Sequence, residues 1–186
     1  MDRMAVTLPM TCEQAASLKA GDLLNLNGIV YTARDAAHKR LTAALAAHEA
    51  LPFDLADAAI YYAGPCPAKP GQAIGSAGPT TSGRMDACTP LLIRHGLRVM
   101  IGKGQRDETV IAAMKQYGAV YLGATGGAGA LLAQHIIRSE IVAWPDLGPE
   151  AVRRLVVKDF PVIVLIDSQG NNLYDSGRRR YRRNQD

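Results

Sequence analysis

Cysteine is sparse in this 186-residue chain. The three present, Cys12, Cys66 and Cys88, stand far apart with no C-x-x-C pair. That spacing supports neither a disulfide framework nor a zinc site, and a cluster normally needs three or four converging thiolates. Free thiols in a reducing compartment are the expectation. Long apolar runs are also missing: none reaches the roughly 18 residues of a membrane span. The opening stretch MDRMAVTLPMTCEQ carries acidic and polar residues where a signal peptide needs an apolar core, so a cytoplasmic location is expected. The body of the chain has no charge bias either. The net charge of +4 is supplied by Arg178, Arg179, Arg180, Arg182 and Arg183 against Asp186, which leaves residues 1–177 neutral. A basic tail of this kind can steer nucleic acid or an acidic partner. The plainer expectation is a solvated, disordered terminus over 178–186.

What is present describes an ordinary globular chain, 48% apolar and 20% charged, long enough for one domain with a real core. Thr11-x-x-Gln14 reads as a capping box, and Gly21 as the C-terminal stop, of a short helix. Asn27-Gly28 between two β-prone runs is a strong hairpin signal. A long Ala/Leu-rich helix follows over 34–51, with Asp35 in its first turn. The runs AAIYYAG, RVMIG and AVYLG read as strands. RDETVIAAMKQYG reads as a helix ending at Gly118, and ATGGAGALLAQHI as a Gly-rich turn into another helix. LVVKDFPVIVLID, 155–167, reads as one or two strands, with SQGNN as the turn after it. Strands and helices interleave while hairpins are expected at both ends. The fold class is therefore α/β, a single domain over 1–177 with a mixed sheet and flanking helices.

Three segments could carry chemistry. GPTTSGRMD, 78–86, combines glycines that let backbone approach a ligand with the hydroxyls of Thr80, Thr81 and Ser82 and the planar fork of Arg84. A turn with one capping hydroxyl would need far fewer of these groups. Lys103, in Gly102-Lys103-Gly104, directly follows RVMI, where open α/β sheets place their ligands. Arg34 sits where the expected hairpin meets its helix, with His38 one turn along. Three cations with two threonines between them suit a small dianion better than a nucleotide. The nucleotide motifs fail on inspection. Asp107 stands where the last glycine of G-x-G-x-x-G would fall, and GATGGAG lacks the Lys-Ser/Thr of a P-loop. No G-x-S-x-G, no Cys–His signature and no acid–base carboxylate pair stands out. Binding and charge stabilisation are the roles the residues offer.

Six segments then make a resemblance plain: GSAGPTTSGRMD, MIGKG, YLGATGGAGALLAQ, KDFPVIVLIDSQGN, TARDAAHKRL and IYYAGPCPAKPG. Together they resemble the β subunit of class I iron–sulfur fumarases and L-tartrate dehydratases, a region that forms the C-terminal domain of the one-chain members. The resemblance implies a swivelling β/β/α domain. It further implies a partner α subunit holding a [4Fe–4S] cluster on three cysteines, in an α₂β₂ assembly. The substrate it implies is a small dicarboxylate, fumarate/malate or tartrate, acted on by a hydro-lyase. On the same ground Arg34, Thr80, Thr81, Arg84 and Lys103 would bind substrate, with Thr80 and Thr81 catalytic: Thr80 handling a proton and Thr81 donating to a carboxylate. The Arg-rich tail lies outside the resemblance, and a nucleic-acid-binding or assembly role through it is the competing expectation.

Overall fold

The computed structural model describes residues 3–182 of the chain. In chain order the elements are β1 (Met4–Leu8), α1 (Cys12–Ser17), β2 (Leu23–Thr32), α2 (Asp35–Ala46), β3 (Ala59–Tyr61), a 3-10 turn (Ser82–Met85) and α3 (Thr89–Arg94). There follow β4 (Val99–Gly102), α4 (Glu108–Tyr117), β5 (Val120–Gly123), α5 (Gly129–Ala133), β6 (Ile136–Ala143), a second 3-10 segment (Pro145–Glu150), β7 (Val152–Ile166) and α6 (Leu173–Tyr181).

Strands β2, β3, β4 and β5 are parallel neighbours in that order. The 15-residue β7 returns antiparallel to β5 at one end and to β2 along most of its length. Pairing therefore closes on itself, and β1 and β6 extend the sheet from β2 and β7. The mixed α/β class is as expected.

Strand alternation sorts the apolar side chains into two layers. Ala59, Tyr61, Val99, Ile101, Val120 and Leu122 join one core with residues of β2 and β7, including Leu24, Leu26, Leu155 and Phe160. Their sequence neighbours Ile60, Met100 and Tyr121 pack the other way, against Leu41 of α2, Leu92 of α3 and Val110 of α4. Each fully buried side chain of this size stabilises by about 1.5–3 kcal/mol relative to exposure. Both faces of the parallel strands are covered, which is why their sequences are nearly continuous apolar runs rather than alternating ones.

The ends of the helices follow local chemistry. Thr11 and Gln14 form the capping box of α1, each side chain bonded to the other's backbone N–H. Asp107 caps α4 by accepting from Val110 N at 2.9 Å, and Gly118 stops that helix in the left-handed region at φ 70.

Four expectations are corrected. Asn27-Gly28 is not a hairpin turn: β2 runs straight through it as one ten-residue strand. The pairing with β7 slips between Leu26 and Gly28, so the dipeptide marks a bulge. Gly28 has φ +115, a Cβ there would collide with the carbonyl oxygen of Leu8 on β1, and the Asn27 side chain accepts from Asp159 N of β7 at 3.0 Å. The backbone freedom that favours an Asn-Gly turn here lets three strands approach one another. Secondly, β1 and β6 are strands where the sequence reading placed none. Thirdly, α1 ends at Ser17, and Gly21 lies in the turn beyond it. Lastly, Arg178–Tyr181, assigned to a disordered tail, continue α6. Asn172 caps that helix by accepting from Tyr174 N, and arginines in the last turn suit the helix dipole. Residues 183–186 of that tail lie outside the described residues.

Gly28→Ala is expected to lower the unfolding free energy by about 1–3 kcal/mol through backbone strain at the bulge. Urea denaturation followed by circular dichroism measures it; an unchanged midpoint would show that the bulge tolerates a side chain.

Candidate active site

The four parallel strands end on one side of the sheet, and the segments after them carry the sequence-derived candidates. Arg34 follows β2 and Lys103 follows β4. The 79–82 segment is stitched across the ends of β3 and β4. Thr80 N donates to Tyr62 O at 2.6 Å, Ser82 N donates to Lys103 O at 2.8 Å, and Thr81 bridges Lys103 in parallel register. Gly102 makes this possible, because a Cβ there would overlap Ser82 Oγ. That hydroxyl bonds Tyr121 Oη at 2.8 Å, and Tyr121 donates onward to Gly104 O at 2.9 Å. Burial pushes the Tyr121 phenol well above its ordinary range, so it remains a donor.

Arg34 and Arg84 meet on one carboxylate. Arg84 Nε donates to Asp35 Oδ1 at 2.7 Å, and Arg34 Nη2 lies 3.6 Å from Asp35 Oδ2. Glu150, which the sequence reading did not single out, lies 3.5 Å from Arg34 Nη2 through Oε1. Its Oε2 accepts from Ala36 N at 2.8 Å. Arg34 occupies the N-cap position of α2 without a capping side chain, so Glu150 satisfies that helix end from a distant segment. The Asp35 carboxyl is held below its usual range: burial works against the charge, and the backbone and Arg84 hydrogen bonds together with both arginines outweigh it. Arg34 Nε and Asp35 Oδ2 are buried without a hydrogen bond.

The hydroxyls of the 80–81 pair have no structural task. Thr81 is the N-cap of the 3-10 turn, yet its side chain makes no capping bond. Among the described residues neither threonine hydroxyl nor the Lys103 ammonium has a hydrogen-bonding or ion-pair partner. Lys103 runs instead beside the Gly-rich turn after β5, with Nζ 3.7 Å from where a Cβ on Gly126 would sit.

Beneath the mouth lies a buried pair that sequence reasoning missed. Arg106 Nε donates to Asp86 Oδ1 at 2.7 Å, while Asp86 Oδ2 accepts from Asp107 N at 2.8 Å. The remaining guanidinium nitrogens reach Tyr62 Oη at 3.2 Å and Thr89 Oγ1 at 2.8 Å, and the group lies over the Tyr62 and Tyr121 rings. His38 is buried too. Its Nδ1 lies 3.0 Å from Arg34 O, a carbonyl that can only accept, so Nδ1 carries the proton and Nε2 is bare. Burial, reinforced by the charge of Arg106, pushes its pKa down to about 4, against the pull of the Arg34 bond and of Asp35. His38 thus supports the backbone of Arg34 and is not a group at the mouth.

Among the described residues no group of three or more His, Cys, Asp or Glu side chains could hold a metal ion. Cys12 and Cys66 are exposed, Cys88 is half-buried, and all three are free. They lie on α1, in the loop after β3 and ahead of α3, so the donor set of the described residues does not fit a cluster.

Two stability consequences follow from the buried groups. Arg106→Met strands Asp86 as an unpaired buried charge, and a loss of about 3–5 kcal/mol is expected in urea unfolding. His38 takes up no second proton in the folded chain between pH 6.5 and about 4, whereas in the unfolded chain it does. Its contribution is therefore complete above pH 6.5 and lost as pH falls toward 4, about 3 kcal/mol in all. His38→Asn, whose amide can replace the Nδ1–H donor, should flatten the stability–pH curve in that window. An equally steep curve in the variant would assign the acid sensitivity elsewhere.

Comparison with known proteins bears on this geometry. A family profile described as Fumarase C-terminus matches residues 1–177. The chain is 42% identical over 172 residues to a putative L(+)-tartrate dehydratase subunit beta of Methanocaldococcus jannaschii, covering 89% of this chain and 88% of that protein. It is 40% identical over 176 residues to an aerobic class I fumarate hydratase of Salmonella typhimurium, covering 92% of this chain and 30% of the relative. With its Escherichia coli counterpart the identity is 44% over 153 residues, covering 81% of this chain and 28% of the relative. The chain thus spans about 30% of the length of the fumarate hydratases it matches and most of the tartrate dehydratase subunit. With a profile that covers nearly its whole length, the chain belongs to the fumarase C-terminus family.

Proposed function

We propose that this chain is the β subunit of a hydro-lyase that adds water to, or removes it from, a small dicarboxylate, and that it supplies one half of a shared active site. The observation that carries the reading is the set of polar groups at the strand ends that the fold itself does not use. Arg84 has only its Nε engaged, and the hydroxyls of Thr80 and Thr81 and the ammonium of Lys103 are free among the described residues. Groups left unpaired at the carboxyl ends of parallel strands are what a ligand site needs.

The chemistry assigns them work. Dehydration takes a C–H proton from the carbon beside a carboxylate and expels hydroxide from the next carbon, so that water leaves. Losing the proton drives charge onto that carboxylate. Arg34, Arg84 and Lys103 stabilise it there, and the arginines also offer planar forks that match its two oxygens. Thr80, half-buried and pinned by its backbone to β3, is the proton-handling group, and the exposed Thr81 donates to a carboxylate. A threonine hydroxyl needs an activating neighbour, and among the described residues no base bonds Thr80. That neighbour comes from the partner.

Charge accounting also calls for a partner. Arg34, Arg84 and Lys103 are opposed by Asp35 and Glu150, leaving one net positive charge to face a dianion. The second charge comes from outside this chain. In this reading a [4Fe–4S] cluster belongs to the α subunit.

Anaerobic co-expression with a cluster-bearing α subunit, followed by the absorbance change of fumarate, malate and tartrate isomers, tests the proposal. Turnover is expected only with both chains present. Activity of this polypeptide alone after metal removal would overturn it. In the active complex Thr80→Val should lower kcat by about 10²–10⁴-fold while leaving assembly intact, as size-exclusion chromatography would show. Undiminished kcat would remove Thr80 from the proton path.

A further inference from the structure

We infer that Asp35 is a positioning residue that turns the Nη1/Nη2 edge of Arg84 toward a substrate carboxylate. The inference deepens the dicarboxylate reading above and rests on it.

A guanidinium has two edges able to grip a carboxylate bidentately, one formed by Nε with a terminal nitrogen and one by the two terminal nitrogens. Asp35 Oδ1 takes Nε at 2.7 Å, which removes the first edge from use and leaves the second without a partner among the described residues. Arg84 is otherwise weakly restrained: its side chain is 53% exposed and sits in a four-residue 3-10 turn. A long side chain of that kind spreads over many rotamers unless something holds it, and fixing it when substrate binds costs about 1.5–2 kcal/mol in entropy. Asp35 does the holding beforehand.

Asp35 is itself well held. It opens α2, where the helix dipole favours an anion, and its Oδ2 lies 3.6 Å from Arg34 Nη2. Arg34 is in turn fixed by Glu150 and by the close backbone of Gly64, where a Cβ would come within 2.8 Å of Nη1. Arg34 is thus held independently of Asp35, and the hydrogen bond that Asp35 makes between the two arginines goes to Arg84. The pair is too exposed to matter much for stability, since such ion pairs contribute about 0–1 kcal/mol. Its consequence is orientation.

The test is a double-mutant cycle on the assembled α–β enzyme, with fumarate as the measured substrate. Asp35→Ala is expected to raise KM by at least about tenfold in the wild-type background and by less than about twofold in an Arg84→Ala background, because Asp35 acts through Arg84. A residue that only stabilises α2 would produce the same change in both backgrounds, and that outcome overturns the inference. Asp35→Ser, too short to reach Nε yet compatible with a first helical turn, repeats the cycle if the alanine variant does not fold. An unchanged KM in both variants also overturns it. Failure of the wild-type complex to turn over fumarate, malate and tartrate would instead overturn the dicarboxylate reading, and this inference with it.

Discussion

The buried contact between Arg106 and Asp86 is the interaction on which the site's geometry rests. Removing two charges from water costs several kcal/mol for each, so such a pair is poor evidence of stability in itself. Here it is closely matched. Both Asp86 oxygens accept, three Arg106 nitrogens donate, and two tyrosine rings flank the guanidinium. The partners come from different places: Tyr62 follows β3, Thr89 opens α3, and Asp107 caps α4. The pair therefore fixes the 79–86 loop against the strand ends and the helix layer together. Arg84 stands two residues from Asp86, so it inherits a defined origin although its own side chain is exposed.

The same division between fold and function recurs along the loop. Ser82 spends its hydroxyl on Tyr121, and Thr80 and Thr81 spend only backbone. The closed strand pairing makes that economy workable, because the parallel strands deliver Arg34, Tyr62 and Lys103 to one side with no further connection. His38 shows the cost of such packing: it is kept neutral in a dry position to hold one carbonyl, at the expense of acid stability.

Much of this was legible in the residues. The capping box, the parallel strands, α4 and its glycine stop, and the cations of 34, 84 and 103 with the threonine pair all carry local signatures. Arg34 and Arg84 do meet at Asp35, whereas Lys103 joins them through backbone and not through its ammonium. What failed to show depends on tertiary context. Asn27-Gly28 has the same local preference for a bulge as for a turn, and only the approach of β1 and β7 decides between them. β6 has an exposed outer edge, with Ile137 and Ile141 in the open, so its pattern does not read as a buried strand. Arg106 looks in sequence like one more polar residue before a helix; its burial depends on Asp86, twenty positions earlier. Asp86 was in view within GPTTSGRMD, and a charged residue closing such a loop was the signal available. Glu150 left none, since it reaches Arg34 across more than a hundred residues.

Arg34 and Arg84 converge on Asp35, so two like charges must be balanced where they meet. Without Asp35 the Arg84 guanidinium would have no counterion among the described residues, and Arg34 would keep only Glu150. With Asp35 between them the two guanidinium groups share one carboxylate. On the dicarboxylate reading proposed above, too much negative charge would be as harmful, because a site neutralised by its own carboxylates does not attract a dianion. Asp35 and Glu150 oppose two of the three cations and occupy Nε of Arg84 and one side of Arg34, while Lys103 has no partner among the described residues. On the function proposed above, that leaves one net positive charge in place for a ligand carboxylate to meet.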